Sequence, residues 1–333
     1  MSSAPDSGFF GHPKGLSTLF FTEMWERMSY YGMRALLVLF MTASLQQEGL
    51  GFTVASAAAI YGLYTGAVYF LGLPGGWLAD RLFGGQKAVW YGGIIIMCGH
   101  IILAIPHDYS FFIGLIFVAT GTGLLKPNIS AMVGQLYSDA DERRDGGYAI
   151  YYMGINLGSI IGYYVCGYFM ENVGWHWAFG AAAVGMGLGL IQYHFSLKNL
   201  PEHRAKHANP LTPEGTTRTW AAITTAIMTG YIIVDPVVIA GYVAVAFTAI
   251  FFAYFGAIYF RGKLTEAEKR RMWALFLVCI ASACFWSGFE QAGSSLNLFA
   301  RDYTDRFIGT FEVPTAWFQS LNSIFIIVLS PFF

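Results

Sequence analysis

Charge is what this sequence has least of. Only 12% of its 333 residues are Asp, Glu, Lys or Arg, about half the roughly 25% of an ordinary soluble domain. The 19 basic and 20 acidic residues leave a formal net charge of -1, so there is no basic face with which to hold nucleic acid. An apolar content of 56% excludes intrinsic disorder. The four cysteines, Cys98, Cys166, Cys279 and Cys284, lie in apolar runs at spacings that fit neither a disulfide framework nor a metal site. They read as buried small hydrophobes. Residues 1–15 are polar and lack the short apolar core and small-residue cleavage site of a signal peptide. No Ser–His–Asp, HExxH or CxxC arrangement occurs, and Lys126 lacks the strand and the Gly-x-x-x-x-Gly-Lys-Ser/Thr pattern of a phosphate loop. Nothing points to an enzyme.

What the chain has instead is length without polarity. Mean hydropathy is +0.51, and a fold of this size cannot hide so much apolar surface from water. Apolar runs fall at 16–44, 53–79, 87–105, 109–134, 146–170, 175–196, 218–234, 236–260, 272–299 and 314–333. Most are close to the roughly 20 residues a spanning helix needs. They are continuous rather than alternating, which excludes barrel strands, and helices alone satisfy their backbone inside lipid. The expected class is an all-α polytopic membrane protein. The 39 glycines suit close helix crossings, with Gly180, Gly185, Gly187 and Gly189 read as packing positions. A polar stretch at 197–217 holds Pro201, His203, His207, Pro210 and Pro213, and reads as a solvated loop between two bundles; no carboxylate or Cys accompanies its histidines at the spacing of metal ligands. Fourteen of the 19 basic residues fall on alternate loops with the N-terminus, whereas the opposite loops hold only Arg301 and Arg306. That bias places the N-terminus in the cytoplasm.

Several charges sit where they are expensive. The first run carries Glu23, Glu26, Arg27 and Arg34, and each central charge costs roughly 2.5–3.5 kcal/mol on insertion scales. At about 100° per residue these four and Tyr30 share an arc of roughly 100°, so they face protein or water and not lipid. Lys126 precedes Pro127 in the fourth run, and Glu290 lies in the run before the last. Their opposite signs permit a pair with each other or with the first helix. Charges at mid-membrane depth mark transport sites, and buried pairs seldom persist for stability alone.

At these residues the sequence resembles a family. Glu23-x-x-Glu26-Arg27-Met28-x-Tyr30-Tyr31-Gly32 resembles the ExxERFxYYG signature of the proton-dependent oligopeptide transporters, with Met28 replacing the usual Phe. Tyr151 to Ser159 resembles their second signature, FYxxINxGS, and Gly76 to Lys87 resembles the cytoplasmic motif of the major facilitator superfamily. The resemblance implies a major facilitator superfamily fold: a six-helix N-terminal bundle at 1–196, a cytoplasmic loop at 197–217, an inserted helical hairpin at 218–260 and a partial C-terminal bundle at 261–333. It implies proton-coupled symport of di- and tripeptides across the cell inner (plasma) membrane by alternating access, as a monomer in the lipid bilayer. No cofactor is expected beyond the proton as coupling ion, and no metal or nucleic acid. Arg34 and Lys126 would hold the peptide carboxylate, and Asn156, Glu290 and Asn322 its amino terminus. Tyr30, Tyr31, Tyr69 and Trp286 would line side-chain pockets. Glu23, Glu26 and Arg27 would carry proton coupling with Glu290, while Arg34, Glu290, Asp80 and Arg81 would gate. Alternatives are the same fold carrying nitrate or an amino-acid-derived solute, or an uncoupled channel or receptor. The resembled architecture has twelve core helices, so the chain is expected to be part of a longer transporter.

Overall fold

The computed structural model describes residues 8–201, Thr212, Gly215 and 236–329. Most of the expected loop at 197–217 and the whole run at 218–234 lie outside the described residues. The chain enters through α1, Lys14–Thr42, followed by α2, Val54–Phe70, and α3, Gly72–Leu78. Four further helices complete the first half: α4, Gly85–Leu103; α5, Asp108–Gly134; α6, Arg144–Asn172; and α7, Trp175–Ser196. After the undescribed segment come α8, Pro236–Arg261, and α9, Glu266–Phe289. Then follow α10, Ser295–Tyr303, a hairpin of β1, Phe307–Ile308, with β2, Phe311–Glu312, and α11, Ser320–Leu329. Among the described residues, five helical stretches are long and apolar enough to cross a membrane: Val54–Phe83, Gly85–Leu103, Tyr109–Gly134, Ala240–Arg261 and Glu266–Gly293.

The structure breaks two of the expected runs. The run at 53–79 is divided at Leu71 and ends in a π turn, Ala79–Phe83, that carries Asp80 and Arg81. Four glycines and Pro74 lie between residues 72 and 84, and such residues weaken the helical ladder. The run at 272–299 stops at Phe289, passes through a tight 3-10 turn, Glu290–Gly293, and restarts as α10. Gly288, Gly293, Ser294 and Ser295 supply the weak point, so Glu290 caps a helix instead of lying inside one.

The core is built around α1, nearly all of which is buried against α6 and α7, while α5 packs between α3 and α4. Close approach needs glycine at particular places. A Cβ on Gly158 of α6 would strike the Met24 carbonyl of α1, and one on Gly75 of α3 would strike the Gly123 carbonyl of α5. Pro127 cannot donate the backbone bond that Gly123 would otherwise receive. Asn128 reinforces the same region, its amide donating to Leu124 O at 2.6 Å and Gly75 O at 3.4 Å. Of the glycines singled out on α7, Gly185 and Gly189 press on Met28 and Trp25, whereas Gly180 and Gly187 have room to spare. Cys166 is buried, but Cys98 and Cys279 are only partly covered and Cys284 is exposed on the outer helix surface. An apolar solvent tolerates an uncovered thiol, which is why burial did not follow from the run.

Antiparallel connections define two ends. The proximal end carries the starts of α1, α4 and α6; there Arg143 pairs with Asp141 at 2.8 Å and donates to Gly11 O at 3.0 Å. The hydrogen bonds from Arg143 hold the partly covered Asp141 carboxyl below the usual range. The distal end carries the end of α1, the start of α2, the end of α6 and the hairpin β1–β2. Trp175 Nε1 donates to Gln47 O at 2.9 Å there, tying α7 to the first distal loop.

Candidate transport site

The expected polar face of α1 is present and buried, and it divides into two centres. In the first, Arg27, Glu23 and Glu26 are 1%, 1% and 0% exposed. Arg27 Nε lies 3.1 Å from Glu23 Oε1 and also donates to Glu26 Oε2. One guanidinium thus serves two carboxylates. Its flat face lies 4.9 Å from the centre of the Tyr30 ring and 5.8 Å from that of Tyr31, an arrangement that also holds a cation. Tyr151 of the second signature lies against Glu23 and within 3.3 Å of Ser130 Oγ.

The second centre lies two turns further along α1. Arg34 Nη2 meets Glu290 Oε2 at 2.5 Å, and Arg34 Nε donates to Tyr61 Oη at 2.6 Å. Tyr61 Oη reaches on to the Glu290 carbonyl at 3.5 Å, and Tyr69 Oη stands 3.5 Å from Glu290 Oε1. Lys126 Nζ lies over the Tyr69 ring at 5.2 Å and forms no ion pair among the described residues. Glu290 therefore pairs with Arg34, not with Lys126, and Tyr69 stands between the two. The helix break at 290 explains the geometry, because a capping residue can turn its carboxylate towards α1.

Other expected site residues are less closely joined. Asn156 is buried and spends its amide on Tyr152 O at 3.0 Å, while Asn322 is exposed. Ser159 and Ser323 meet at 2.6 Å and bring the two asparagine-bearing segments side by side. Neither asparagine touches Glu290 among the described contacts. Trp286 is half exposed and makes only edge-on ring contacts, with Phe285 and Phe289, among the described residues. Asp80 is exposed, Arg81 is partly covered, and no ion pair joins them among the described residues.

Sequence reasoning passed over Tyr61, the hydroxyl between Arg34 and Glu290. Its signal was an aromatic spacing on α2, where Tyr61 and Tyr64 lie three residues apart and both are buried, with Tyr69 two turns on from Tyr61. It also passed over Asn297, whose amide donates to Ala35 O at 2.7 Å, and Arg301, which donates to Thr42 Oγ1 at 3.0 Å. With the Arg34–Glu290 pair, these contacts close the distal end between α1 and the last third of the chain.

Long apolar helices around buried, paired ionisable groups define a multi-pass helical membrane protein with a polar interior site that is shared between the N-terminal bundle and the segment beginning at α9. Residues 86–333 match the POT family model. The chain is 42% identical to the peptide transporter YePEPT of Yersinia enterocolitica, with 98% of this chain and 67% of that protein covered. It is 36% identical to a di-/tripeptide transporter of Lactococcus lactis subsp. cremoris, over 98% and 69% respectively. A crystal structure of a peptide transporter POT in complex with sulfate superposes with a TM-score of 0.90 at 42% identity, covering 99% of this chain and 70% of that one. This chain belongs to the POT family, the transporter family to which its sequence signatures point. It spans about two thirds of the length of these relatives.

Proposed function

We propose that this chain carries the N-terminal bundle and part of the binding site of a proton-coupled symporter of di- and tripeptides, working by alternating access without chemical conversion. The observation that carries the reading is the Arg34–Glu290 pair, which links α1 to the end of α9 within the membrane-spanning region. A peptide of any sequence offers one carboxylate and one ammonium at nearly fixed separation. Arg34 and Lys126 supply cations for the first, and Glu290 with Asn156 and Asn322 supplies acceptors for the second. Tyr30, Tyr31, Tyr69 and Trp286 offer flat, amphipathic walls to variable side chains.

Proton coupling follows from the same pair. A buried carboxylate beside a guanidinium is stable when paired or when protonated, and costly when left charged and alone. Protonation of Glu290 frees Arg34 for a substrate carboxylate; deprotonation restores the pair and favours the state closed at the distal end. A ligand or proton shifts such an equilibrium only by its preference for one state. Glu23, Glu26 and Arg27 form a second proton-sensitive triad nearer the proximal end. With 14 basic residues on the N-terminal side, the proximal end is cytoplasmic, and the membrane is the cell inner membrane. The test is uptake of a labelled dipeptide into proteoliposomes with and without an inward proton gradient. Accumulation above equilibrium only with the gradient supports the symporter, and gradient-insensitive equilibration overturns the coupling.

A further inference from the structure

A second ion-pair centre lies outside the site, at the distal surface, and it joins the same two parts of the chain. Glu171 is the penultimate residue of α6. Its Oε1 lies 3.1 Å from Arg306 Nη1 and 3.4 Å from both the amide and the hydroxyl of Thr315. Arg306 precedes the β1–β2 hairpin, whose pairing matches Phe307 with Glu312 and Ile308 with Phe311. The Arg306 side chain is only 12% exposed, and the remaining bonds of its guanidinium stay within its own segment: Nη1 donates to Val313 O at 2.9 Å and Nη2 to the Glu312 carboxylate. Val313 N returns a bond to Arg306 O at 2.8 Å. Glu171 has no other cation among the described residues, and a third of its side chain already faces solvent.

The two partners therefore differ in what separation would cost them. Breaking a buried pair is expensive when it strands a charge. Here Arg306 keeps Glu312 and the Val313 carbonyl, and Glu171 moves into water. Thr315, 1% exposed while the ends are joined, loses the acceptor of its amide and hydroxyl, which only the water admitted by distal opening replaces. The two charges therefore part without being stranded, and Thr315 supplies the resistance that keeps the contact closed at rest.

We propose that Glu171 and Arg306 form a releasable clasp that sets how much of the protein rests closed at its distal end, with Glu312 acting as the holder that competes for Arg306. The proposal rests on the alternating-access reading and adds to it a pair outside the substrate site. It implies opposite effects from the two carboxylates. Neutralising Glu171 removes the clasp and favours distal opening. Neutralising Glu312 leaves Arg306 with Glu171 as its one carboxylate and favours distal closure.

The experiment is a distance measurement by pulsed electron resonance in lipid nanodiscs. Spin labels go on Asn172→Cys at the end of α6 and Thr310→Cys in the hairpin turn, with the four native cysteines replaced by serine. Both label sites are exposed, and neither is a member of the clasp. Glu171→Gln is expected to raise the long-distance population roughly two- to fivefold, the range an ion pair of this exposure can supply. Glu312→Gln is expected to lower it. An unchanged distribution in Glu171→Gln, or shifts of the same sign in both variants, would overturn the clasp. Glu290→Gln in the same labelled background separates the two readings. If it alone widens the distribution, the clasp fails and alternating access stands; if no variant moves it, both fail.

Discussion

Arg34 and Glu290 lie 256 positions apart and meet at 2.5 Å, with Tyr61 Oη bonded to the same guanidinium and reaching the Glu290 carbonyl. One side chain of α1 thus closes a contact between the first bundle and the beginning of the second. Glu290→Gln keeps the shape and a hydrogen-bond acceptor but can no longer alternate between charged and neutral forms. Proton-driven accumulation of a dipeptide should fall at least tenfold, while exchange of labelled for unlabelled peptide at equal pH on both sides should persist. Comparing driven uptake with counterflow in the same proteoliposomes checks this. Full driven accumulation in the variant would remove Glu290 from the coupling.

Arg34→Ala tests the carboxylate role. A hydrogen bond to a charged group contributes about 1.5–3 kcal/mol, so dialanine should bind roughly 10- to 100-fold more weakly. A dialanine analogue amidated at its C-terminus has no carboxylate to lose and should bind nearly unchanged. Equal loss for both ligands by calorimetry would assign Arg34 to gating alone.

Tyr61→Phe removes a single oxygen from the bridge. Arg34 keeps its carboxylate partner but loses the acceptor at 2.6 Å, and a hydrogen bond from a charged group is worth about 1.5–3 kcal/mol. The loosened pair should release more readily, shifting the pH at which driven uptake is half-maximal without changing protein yield. The pH profile of uptake, set against thermal stability, reads this directly. An unchanged profile would reduce Tyr61 to a packing residue.

The polar face of α1 was legible because it breaks a rule. Four charges in a membrane-grade helix demand partners, and 100° spacing places them on one side. The sequence could not say that the face serves two centres, since the second depends on a carboxylate presented by a helix end. The helix end itself was disguised: Trp286 to Ala300 is apolar enough to read as one span, and only the Gly–Ser cluster hints at a turn. Tyr61 and Asn297 carried no charge penalty to betray them, although both hold α1. The distal clasp was visible only as two arginines beside aspartates, a pattern that reads as an ordinary solvated loop.

Packing at the α1–α6 crossing offers a test independent of transport. A Cβ on Gly158 would run into the backbone carbonyl of Met24, an atom that cannot swing away, and would also crowd Arg27 Cβ at 3.1 Å. Forcing a methyl group into such a site typically costs about 1–3 kcal/mol. Gly158→Ala should therefore lower the melting temperature of the detergent-solubilised protein by several degrees. Gly180→Ala is the matched control on α7, because its Cβ would find only Ala104 Cβ, at 3.9 Å. Gly180→Ala should melt with the parent protein or slightly above it, since alanine is the better helix former. Equal melting of both variants would mean that α1 and α6 cross with more room than the contact between a Gly158 Cβ and the Met24 carbonyl implies. Because Arg27 hangs from this crossing, a displaced α1 should also weaken coupling. Gly158→Ala is thus expected to lose driven uptake even at temperatures where it remains folded.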